Sequence, residues 1–287
     1  MNNPLVIRPA TMGEFATAIE WAGNEGWNPG LDDLDVFHAC DRNGFLMGWM
    51  GGAPVSSISV VRYGNDFGFL GFYIVHPSYR GTGVGIATWH AGIDYLEGRA
   101  IALDGVIDQQ ANYKKSGFVY VGRNVRFSGA PKTRSDAGGG ISVRSIVLED
   151  MPAVLELDRM CFGTARNSFT RAWCLPKPPA RRQSFVCLKD RKVTGFATIR
   201  TCRSGYKIGP LFCKEPGAAN ALFNALIATV KPGSDVSIDV PASKSEAIGL
   251  ATRAGLKPVF EAARMMRGTG PEIDGNSVYG ITSFELG

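Results

Sequence analysis

The chain has 287 residues, of which 45% are hydrophobic and 20% charged, and its formal net charge is +5 at pH 7. This composition is ordinary for a globular protein and excludes a disordered, collagen-like or coiled-coil chain. The length fits two domains better than one, because a domain usually holds about 100–200 residues.

The first half of the chain alternates strand and helix patterns. In order, we predict a strand at Leu5–Arg8, helices at Glu14–Ala22 and Leu34–Ala39, strands at Gly44–Met50, Pro54–Tyr63 and Gly68–Val75, a helix at Val84–Glu97, a strand at Ala100–Leu103, a helix at Gln109–Ser116 and a strand at Phe118–Phe127. The consecutive strands before Val84 predict an antiparallel meander. The fold class is therefore α/β with a mixed sheet.

The strand that ends at Val75 runs into a glycine-rich turn that opens directly onto a helix. The free N–H groups of such a helix start and the positive end of its dipole bind anions, and Gly83 and Gly85 let the backbone approach the anion closely. Arg80 adds a positive charge at the mouth of the turn. We therefore predict a diphosphate site.

A dinucleotide site is a rival interpretation of this turn. Asp104 follows Gly85 by 19 residues, close to where an acid that binds a ribose would lie. The glycine spacing, Gly81-x-Gly83-x-Gly85, differs from the dinucleotide pattern, and the turn follows the fourth strand of a meander instead of the first strand.

The turn resembles the coenzyme A pyrophosphate loop of GNAT-superfamily N-acetyltransferases. The family signature Q/R-x-x-G-x-G/A appears here as Arg80–Gly85, its lead-in V-x-P-x-Y/F as Val75–Tyr79, and its later motif Y-x-x-x-G-F as Tyr113–Phe118. The resemblance covers residues 5–127. It implies acetyl-CoA as co-substrate and no metal, with cofactor contacts at Ile74, Val75, Arg80, Gly81, Thr82, Gly83, Val84, Gly85 and Asn112.

The same resemblance implies that the N–H groups of Ile74 and Val75 polarise the acetyl carbonyl. Tyr113 is the expected proton donor, because a phenol with a pKa of about 10 stays protonated at neutral pH and can donate to the departing thiolate. Packing against the sheet is the alternative role for Tyr113, and Asn112 is alternatively a helix cap. The strand Phe67–Val75 holds no acid. Either a carboxylate outside it acts as the base through water, with Glu25, Asp33 and Asp239 as the candidates, or the acceptor arrives with its amine already neutral.

The loop from Glu25 to Asp33 is the predicted acceptor pocket, since it combines turn residues with an aromatic side chain at its tip. Trp27 is alternatively a plug at the interface between the domains. The candidate acceptor-binding residues are Glu25, Trp27, Asn28, Asp33 and Asp239.

A stretch at 128–140 concentrates glycine, proline, serine and charge, which is typical of a linker. We place a first domain at 1–130, the linker at 131–140 and a second domain at 141–287.

The second domain resembles a diverged copy of the first, because strands at Tyr206–Phe212, Ile238–Pro241, Leu256–Met266 and Val278–Phe284 occupy equivalent places. The chain thus resembles a two-domain, tandem GNAT protein of the bacterial type, each domain a mostly antiparallel sheet flanked by helices. After Phe212 the glycine cradle is missing, so we expect the second domain to bind no coenzyme A and to wall the acceptor pocket.

Other classes of partner are disfavoured. The three histidines and six cysteines show no metal-ligand spacing, and the scattered basic residues lack the aromatic pattern of a nucleic-acid binder. Short apolar stretches and the absence of a signal-peptide pattern lead us to expect a cytoplasmic protein without membrane contact, as a monomer or homodimer.

The leading hypothesis is an acetyl-CoA-dependent N-acetyltransferase that acts on a small amine. A non-catalytic sensor of coenzyme A or a metabolite and an NAD-linked enzyme are the alternatives.

Overall fold

The computed structural model describes residues 4–132 and 140–287. Most of the predicted linker, residues 133–139, lies outside the described residues. The helices are α1 (Met12–Asn24), α2 (Asp33–Cys40), α3 (Val84–Tyr95), α4 (Gln110–Lys115), α5 (Met151–Phe162), α6 (Asn167–Cys174), α7 (Pro216–Ile227) and α8 (Ser245–Arg253). Among these described helices, none has both the length and the apolar character that crossing a bilayer requires.

The strands follow the same order of strand and helix in both halves. They are β1 (Val6–Pro9), β2 (Phe45–Met50), β3 (Ala53–Tyr63), β4 (Phe67–Val75), β5 (Ala100–Val106), β6 (Val119–Gly129), β7 (Ile141–Ser145), β8 (Arg182–Lys189), β9 (Lys192–Thr201), β10 (Tyr206–Cys213), β11 (Val236–Pro241), β12 (Lys257–Arg267) and β13 (Val278–Gly280). The α/β class and mixed, mostly antiparallel sheet predicted from the sequence are confirmed.

Helix α1 shows how local sequence sets the elements. Thr11 precedes the helix and accepts a hydrogen bond from the Glu14 N–H (3.2 Å), while Glu14 accepts one from the Thr11 N–H (2.8 Å). This capping box satisfies two N–H groups that a helix start leaves free. Phe15, Ala18 and Ala22 then recur on one buried face, so the helix packs its apolar stripe against the sheet.

The strands of both halves merge into one sheet by exchanging two strands. The order is β1-β2-β3-β4-β5-β12-β6-β11-β10-β9-β8-β7, and β13 pairs with β10 beside this row. Strand β12 of the second half lies between β5 and β6 of the first, and β6 in turn lies between β12 and β11. Each half therefore completes the other's sheet.

Two ion pairs, one buried and one partly buried, join the exchanged strands to their neighbours. On β6, Arg126 donates two hydrogen bonds to Asp239 on β11, at 2.7 and 2.9 Å. On β12, Arg264 donates two to Asp104 on β5, at 2.8 and 2.7 Å. Both pairs join residues that face each other in the strand register, so the geometry is bidentate and directional.

An apolar core also joins the halves. The largest cluster of buried side chains takes residues from both, and at its centre Phe37 of α2 stacks on Trp173 of α6, with ring centroids 5.6 Å apart and planes 9° apart. Aromatic pairs of this kind contribute beyond their buried area. The two halves therefore share a core as well as a sheet.

The second half departs from the sequence prediction at its last strand. Of the predicted strand Val278–Phe284, only Val278–Gly280 is a strand, and it pairs with β10. The following residues, Ile281–Gly287, which we name the closing segment, are buried in an irregular conformation. Hydrogen bonds to the Tyr63 hydroxyl and the Arg166 guanidinium replace ladder bonds there.

We expect the loss of the Arg126–Asp239 pair to lower the stability of the protein strongly. Replacing Asp239 by Asn leaves the buried guanidinium without a counter-charge, and we expect the free energy of unfolding to fall by about 3–5 kcal/mol, measured by urea denaturation. The double variant Arg126→Met/Asp239→Leu should be much closer to wild type, because it removes both charges together. Glu156→Gln, at an exposed pair with Arg159, is the control and should not change the unfolding midpoint. A wild-type midpoint for Asp239→Asn would contradict the role given to this pair.

Candidate active site

The sheet opens between β4 and β5. These parallel strands pair only over Phe67–Leu70 and Ala100–Leu103 and then diverge. A cavity of 660 Å³ lies in the opening, lined on one side by Gly71–Val75 and on the other by Leu103–Val106. The edge of β4 along this stretch is therefore free for an extended ligand arm to pair with.

A bulge in β4 shapes this edge. Opposite Ser57 and Ser59 of β3, the β4 partners are Ile74 and Gly71, so β4 contains one extra residue. Phe72 in the bulge has a φ of 45°, a conformation that is strained for a bulky side chain, and its carbonyl accepts a hydrogen bond from the Ser57 hydroxyl at 2.8 Å. Strain held in place by its surroundings is typical of functional sites.

The glycine turn presents free N–H groups beside the cavity. From Gly81 to Ile86, no backbone N–H donates to another residue in the described part of the chain. Gly83 caps α3 with a φ of 91°, which glycine adopts without a steric penalty. A methyl group on Gly85 would approach the Tyr73 hydroxyl to 3.0 Å and Val75 Cγ2 to 3.2 Å, so α3 begins directly against the cavity wall.

Arg80 and Glu25 lie together at the mouth of the cavity. Arg80 donates to Glu25 Oε1 at 2.6 Å and to the Val75 carbonyl at 3.1 Å, and both residues line the cavity. The Arg80 side chain is 53% exposed and that of Glu25 39%, so water screens the pair and it contributes little to stability. Oε1 of Glu25, one of the predicted bases, takes part in this exposed pair.

Val75 and Ile74 direct their N–H groups differently. The N–H of His76 donates to the Val55 carbonyl, and hydrogen bonding alternates along an antiparallel pair. Val75 therefore turns its N–H and carbonyl away from β3, towards the opening, whereas Ile74 turns its N–H towards β3. Of the two N–H groups predicted to polarise the acetyl carbonyl, that of Val75 has the required direction and that of Ile74 does not.

Tyr113 lies on the far wall of the cavity. Its ring stacks on Trp89, with centroids 5.5 Å apart, and it fits because Gly105 has no side chain, since a Cβ there would clash with the ring. Burial, with a smaller contribution from Tyr73, raises the pKa of Tyr113 to about 12. The phenol therefore remains a proton donor across the neutral and moderately alkaline range.

Trp27 lies at the cavity and at the interface between the halves, so both roles that the sequence left open stay predictions. Its residue lines the cavity, while its carbonyl accepts hydrogen bonds from Arg126 (2.9 Å) and Lys207 (3.2 Å) of the sheet. The adjoining Asn28 exchanges two hydrogen bonds with the backbone of Ser204 in the second half, at 2.8 and 3.1 Å. The second half thus fixes the loop that carries Trp27.

Besides the glycine-turn residues Gly81–Gly85, four predicted site residues do not line the cavity. Asp33 is buried and accepts hydrogen bonds from Arg200 (3.1 Å) and the Gly30 N–H (2.9 Å), and Asp239 is held by Arg126. Asn28 serves the interface between the halves, and Asn112 lies on the exposed side of α4 with Gln109 and Lys115. Asp33 Oδ1 is buried without a hydrogen-bond partner, and Gln109, the partner of Asn112, itself lines the cavity. That these four residues bind the acceptor or cofactor stays a prediction.

Asp104 does line the cavity, but its carboxylate is fully engaged. Besides the two hydrogen bonds from Arg264, it accepts one from the Asn124 amide at 2.9 Å. A ribose would have to compete with a charged bidentate partner, which argues against the dinucleotide interpretation of the turn.

Glu285 is a cavity-lining residue that the sequence prediction missed. It belongs to the closing segment and is 3% exposed, and its carbonyl oxygen lies where a Cβ on Gly71 would be. Only the absence of a side chain at Gly71 therefore lets the closing segment cross β4. The sequence signal was an acid after Phe284 in an otherwise apolar and small-residue ending, which has no distinctive pattern.

The equivalent opening in the second half is filled. Strands β10 and β11 pair over Tyr206–Ile208, after which β13 pairs with β10 at Leu211 and Phe212. Gly209 lies against the carbonyl of Thr282, as Gly71 lies against that of Glu285. Within residues 4–132 and 140–287, no three His, Cys, Asp or Glu side chains converge as metal ligands.

Comparison with protein-family models finds a match in each half. Residues 14–118 match the model of the acetyltransferase (GNAT) family, and residues 154–280 match that of an acetyltransferase (GNAT) domain. The first match contains the glycine turn and Tyr113. The second contains β8 to β13.

One curated relative matches nearly the whole chain. The holothin acyltransferase of Pseudoalteromonas sp. (strain SANK 73390) is 32% identical over 280 residues, which cover 98% of this chain and 94% of the relative. A putative acetyltransferase from Pyrococcus horikoshii has a TM-score of 0.81 at 20% identity, covering 99% of this chain and 96% of that one. A tandem GNAT protein from the clavulanic acid biosynthesis pathway has a TM-score of 0.66 at 14% identity, covering 93% and 99%.

The glycine turn predicts a specific binding defect. Glu at position 83 would strain the positive-φ backbone and place a negative charge where an anion is expected. We expect Gly83→Glu to weaken coenzyme A binding, measured by isothermal titration calorimetry, by about tenfold or more, equivalent to ~1.4 kcal/mol. Gly98→Glu is the matched control, since Gly98 has a similar φ of 77° and open surroundings away from the turn. Equal affinity of the two variants would refute the anion site.

Proposed function

Because this chain belongs to the GNAT family of acyltransferases, we propose that it transfers an acetyl group from acetyl-CoA to the amine of a small-molecule acceptor. One observation carries the proposal. The free N–H groups of the glycine turn stand beside the open edge of β4, so a diphosphate and the extended arm attached to it would find their partners along one continuous path.

The residues of the first half fit coenzyme A. The N–H groups from Gly81 to Ile86 and the dipole of α3 would hold the diphosphate, and the free edge of β4 would pair with the arm. When bound, acetyl-CoA supplies an activated acyl carbonyl at the inner end of the cavity. The N–H of Val75 would donate to the carbonyl oxygen, where negative charge develops during transfer.

Tyr113 would supply the proton that the departing thiolate needs. Its raised pKa keeps the phenol protonated at neutral pH, and it lines the same cavity as Val75. Positioned acid catalysis of this kind contributes about 10²–10⁴-fold to a rate. The role proposed for the first half, residues 1–130, is therefore the catalytic one, and that of the second half is to complete the cavity.

The acceptor side of the cavity is mainly aromatic. Trp27, Phe260 and Phe284 line it, and Arg126 lies over the Phe284 ring at 4.9 Å. A flat or apolar amine suits such walls better than a highly charged one. The name of the 32% identical relative makes holothin the first acceptor to test.

A thiol-release assay tests the proposed function. Acetyl-CoA would be incubated with the protein and with holothin, amino acids, polyamines, aminoglycosides or peptides with free N-termini, and free thiol measured. We expect release that depends on one class of amine. Failure to bind acetyl-CoA at millimolar concentration would overturn the proposal, and binding without release across the panel would favour the sensor function instead.

Tyr113→Phe separates catalysis from binding. Because the variant keeps the ring that stacks on Trp89 and loses only the hydroxyl, we expect kcat to fall about 100-fold with little change in KM for acetyl-CoA. Wild-type activity should show no loss from Tyr113 ionisation up to pH 10, since its pKa is about 12. Tyr120→Phe, at a half-exposed tyrosine on β6, is the control and should behave as wild type. Unchanged kcat for Tyr113→Phe would remove Tyr113 from the mechanism.

A further inference from the structure

The closing segment brings a carboxylate of the second half into the cavity of the first. Glu285 lines that cavity and is 3% exposed. Neither of its carboxylate oxygens has a hydrogen-bond partner among the described residues, and neither is among the polar atoms that are sealed from solvent without a partner. The carboxylate therefore opens onto the cavity itself.

Each of the nearby cations has a hydrogen-bond partner other than the Glu285 carboxylate. Arg126 is paired with Asp239, Arg200 with Asp33, and the Lys207 ammonium donates to the Trp27 carbonyl. No cation of the described chain lies within ion-pair distance of Glu285, although its charge contributes to the field at all three. These cations therefore interact with the carboxylate at a distance, without a hydrogen bond to its oxygens.

Burial and the neighbouring charges have opposite effects on the pKa values of these cations. Burial opposes the charged form of Arg126, but Asp239 and, to a smaller extent, Glu285 raise its pKa. Burial and the neighbouring Arg126 lower the pKa of Lys207, with Glu285 and Asp239 acting in the opposite direction. The other ionisable groups that line the cavity are Glu25, Tyr73, Arg80, Asp104 and Tyr113.

The closing segment is fixed firmly enough to position a reacting group. Arg166 is buried, pairs with Asp158, and donates to the Thr282 hydroxyl (2.7 Å) and the Gly287 carbonyl (3.1 Å). From the first half, the Tyr63 hydroxyl donates to the Leu286 carbonyl at 3.1 Å. Glu285 lies between these anchors and beside Gly71, at the start of the β4 bulge.

We propose that Glu285 is the general base that takes the proton from the acceptor amine. This inference rests on the proposed function. The strand β4 carries no acid, Glu25 is paired with Arg80, and Asp33 and Asp239 lie in buried ion pairs outside the cavity. Among the carboxylates that line the cavity, Glu25 and Asp104 have charged partners, and Glu285 has none.

Tyr113, on the opposite wall of the cavity, supplies the proton that the leaving thiolate takes up. The acceptor, which enters as an ammonium ion, first gives one proton to Glu285, directly or through one water, and Glu285 passes this proton to solvent. The neutral nitrogen then forms a bond to the acyl carbon and gives a second proton to Glu285. The carbon–sulfur bond breaks, and the sulfur takes a proton from Tyr113. The proton on Glu285 then returns through solvent to Tyr113, so the products are an amide and a free thiol and the protein is unchanged.

If Glu285 is the base, its contribution to the rate should depend on pH. An alkyl amine with a pKa of about 10.4 carries its proton at neutral pH and must lose it before it can attack. As the pH approaches the pKa of the amine, solvent removes this proton and the protein's base matters less. The rate difference between wild type and a variant without the carboxylate should therefore shrink as the pH rises.

Glu285→Gln tests the assignment with the best alkyl amine from the thiol-release panel. At pH 7 we expect kcat to fall about 100-fold or more, with coenzyme A affinity unchanged by calorimetry, and the deficit to narrow towards pH 10. Glu261→Gln, an exposed carboxylate on β12, should match wild type throughout. Circular dichroism and thermal unfolding would show whether each variant folds.

A second variant keeps the proposal testable if Glu285→Gln does not fold. Glu285→Ala leaves space beside Gly71, and added sodium formate should raise its rate by about tenfold while leaving the wild-type rate unchanged. Near-wild-type kcat in a folded Glu285 variant, a pH-independent deficit, or no rescue by formate would overturn the role of Glu285 and leave acyl transfer intact. No transfer by wild type to any amine would overturn the proposed function, and the base assignment with it.

Discussion

The exchange of β6 and β12 is the constraint on which the rest of the structure depends. Each strand pairs on both sides with strands of the other half or with its exchanged partner, so neither half has a complete sheet alone. The ion pairs Arg126–Asp239 and Arg264–Asp104 fix the register of the exchange with the same bidentate geometry. Because a one-residue slip would turn every side chain to the opposite face, this register also decides which residues reach the cavity.

The second half lacks the glycine turn, but through the strand exchange it supplies residues to the cavity of the first half. In the second half, β13 pairs along β10 where the first half has its opening, and the chain then continues as the closing segment over Gly209 and Gly71. Both crossings require a residue without a side chain. The segment that fills one opening thereby supplies Phe284 and Glu285 to the other, so the duplicated half contributes to the cavity walls without a second anion site.

The cavity combines groups whose properties are set by burial and by neighbouring charges. Tyr113 stays protonated because its surroundings are apolar, and the acids other than Glu285 are neutralised by arginines. The N–H groups of the glycine turn and of Val75 need no rearrangement to accept a ligand, since the backbone already holds them in position. Such preorganisation matters more for acyl transfer than any single reactive side chain.

The sequence by itself determined the elements and the position of the glycine turn. Arg80, Gly81 and Gly83 are neighbours in the chain, and so are the residues of the Tyr113–Phe118 motif. Local pattern was therefore enough to place the turn, α3 and α4. Only the tertiary structure decided which carboxylates are free, because Asp33, Asp239 and Asp104 meet their arginine partners across strands more than 100 residues apart in the chain. The strand exchange and the position of Glu285 have the same origin: they depend on pairing between distant segments, which alternation and spacing along one chain do not specify.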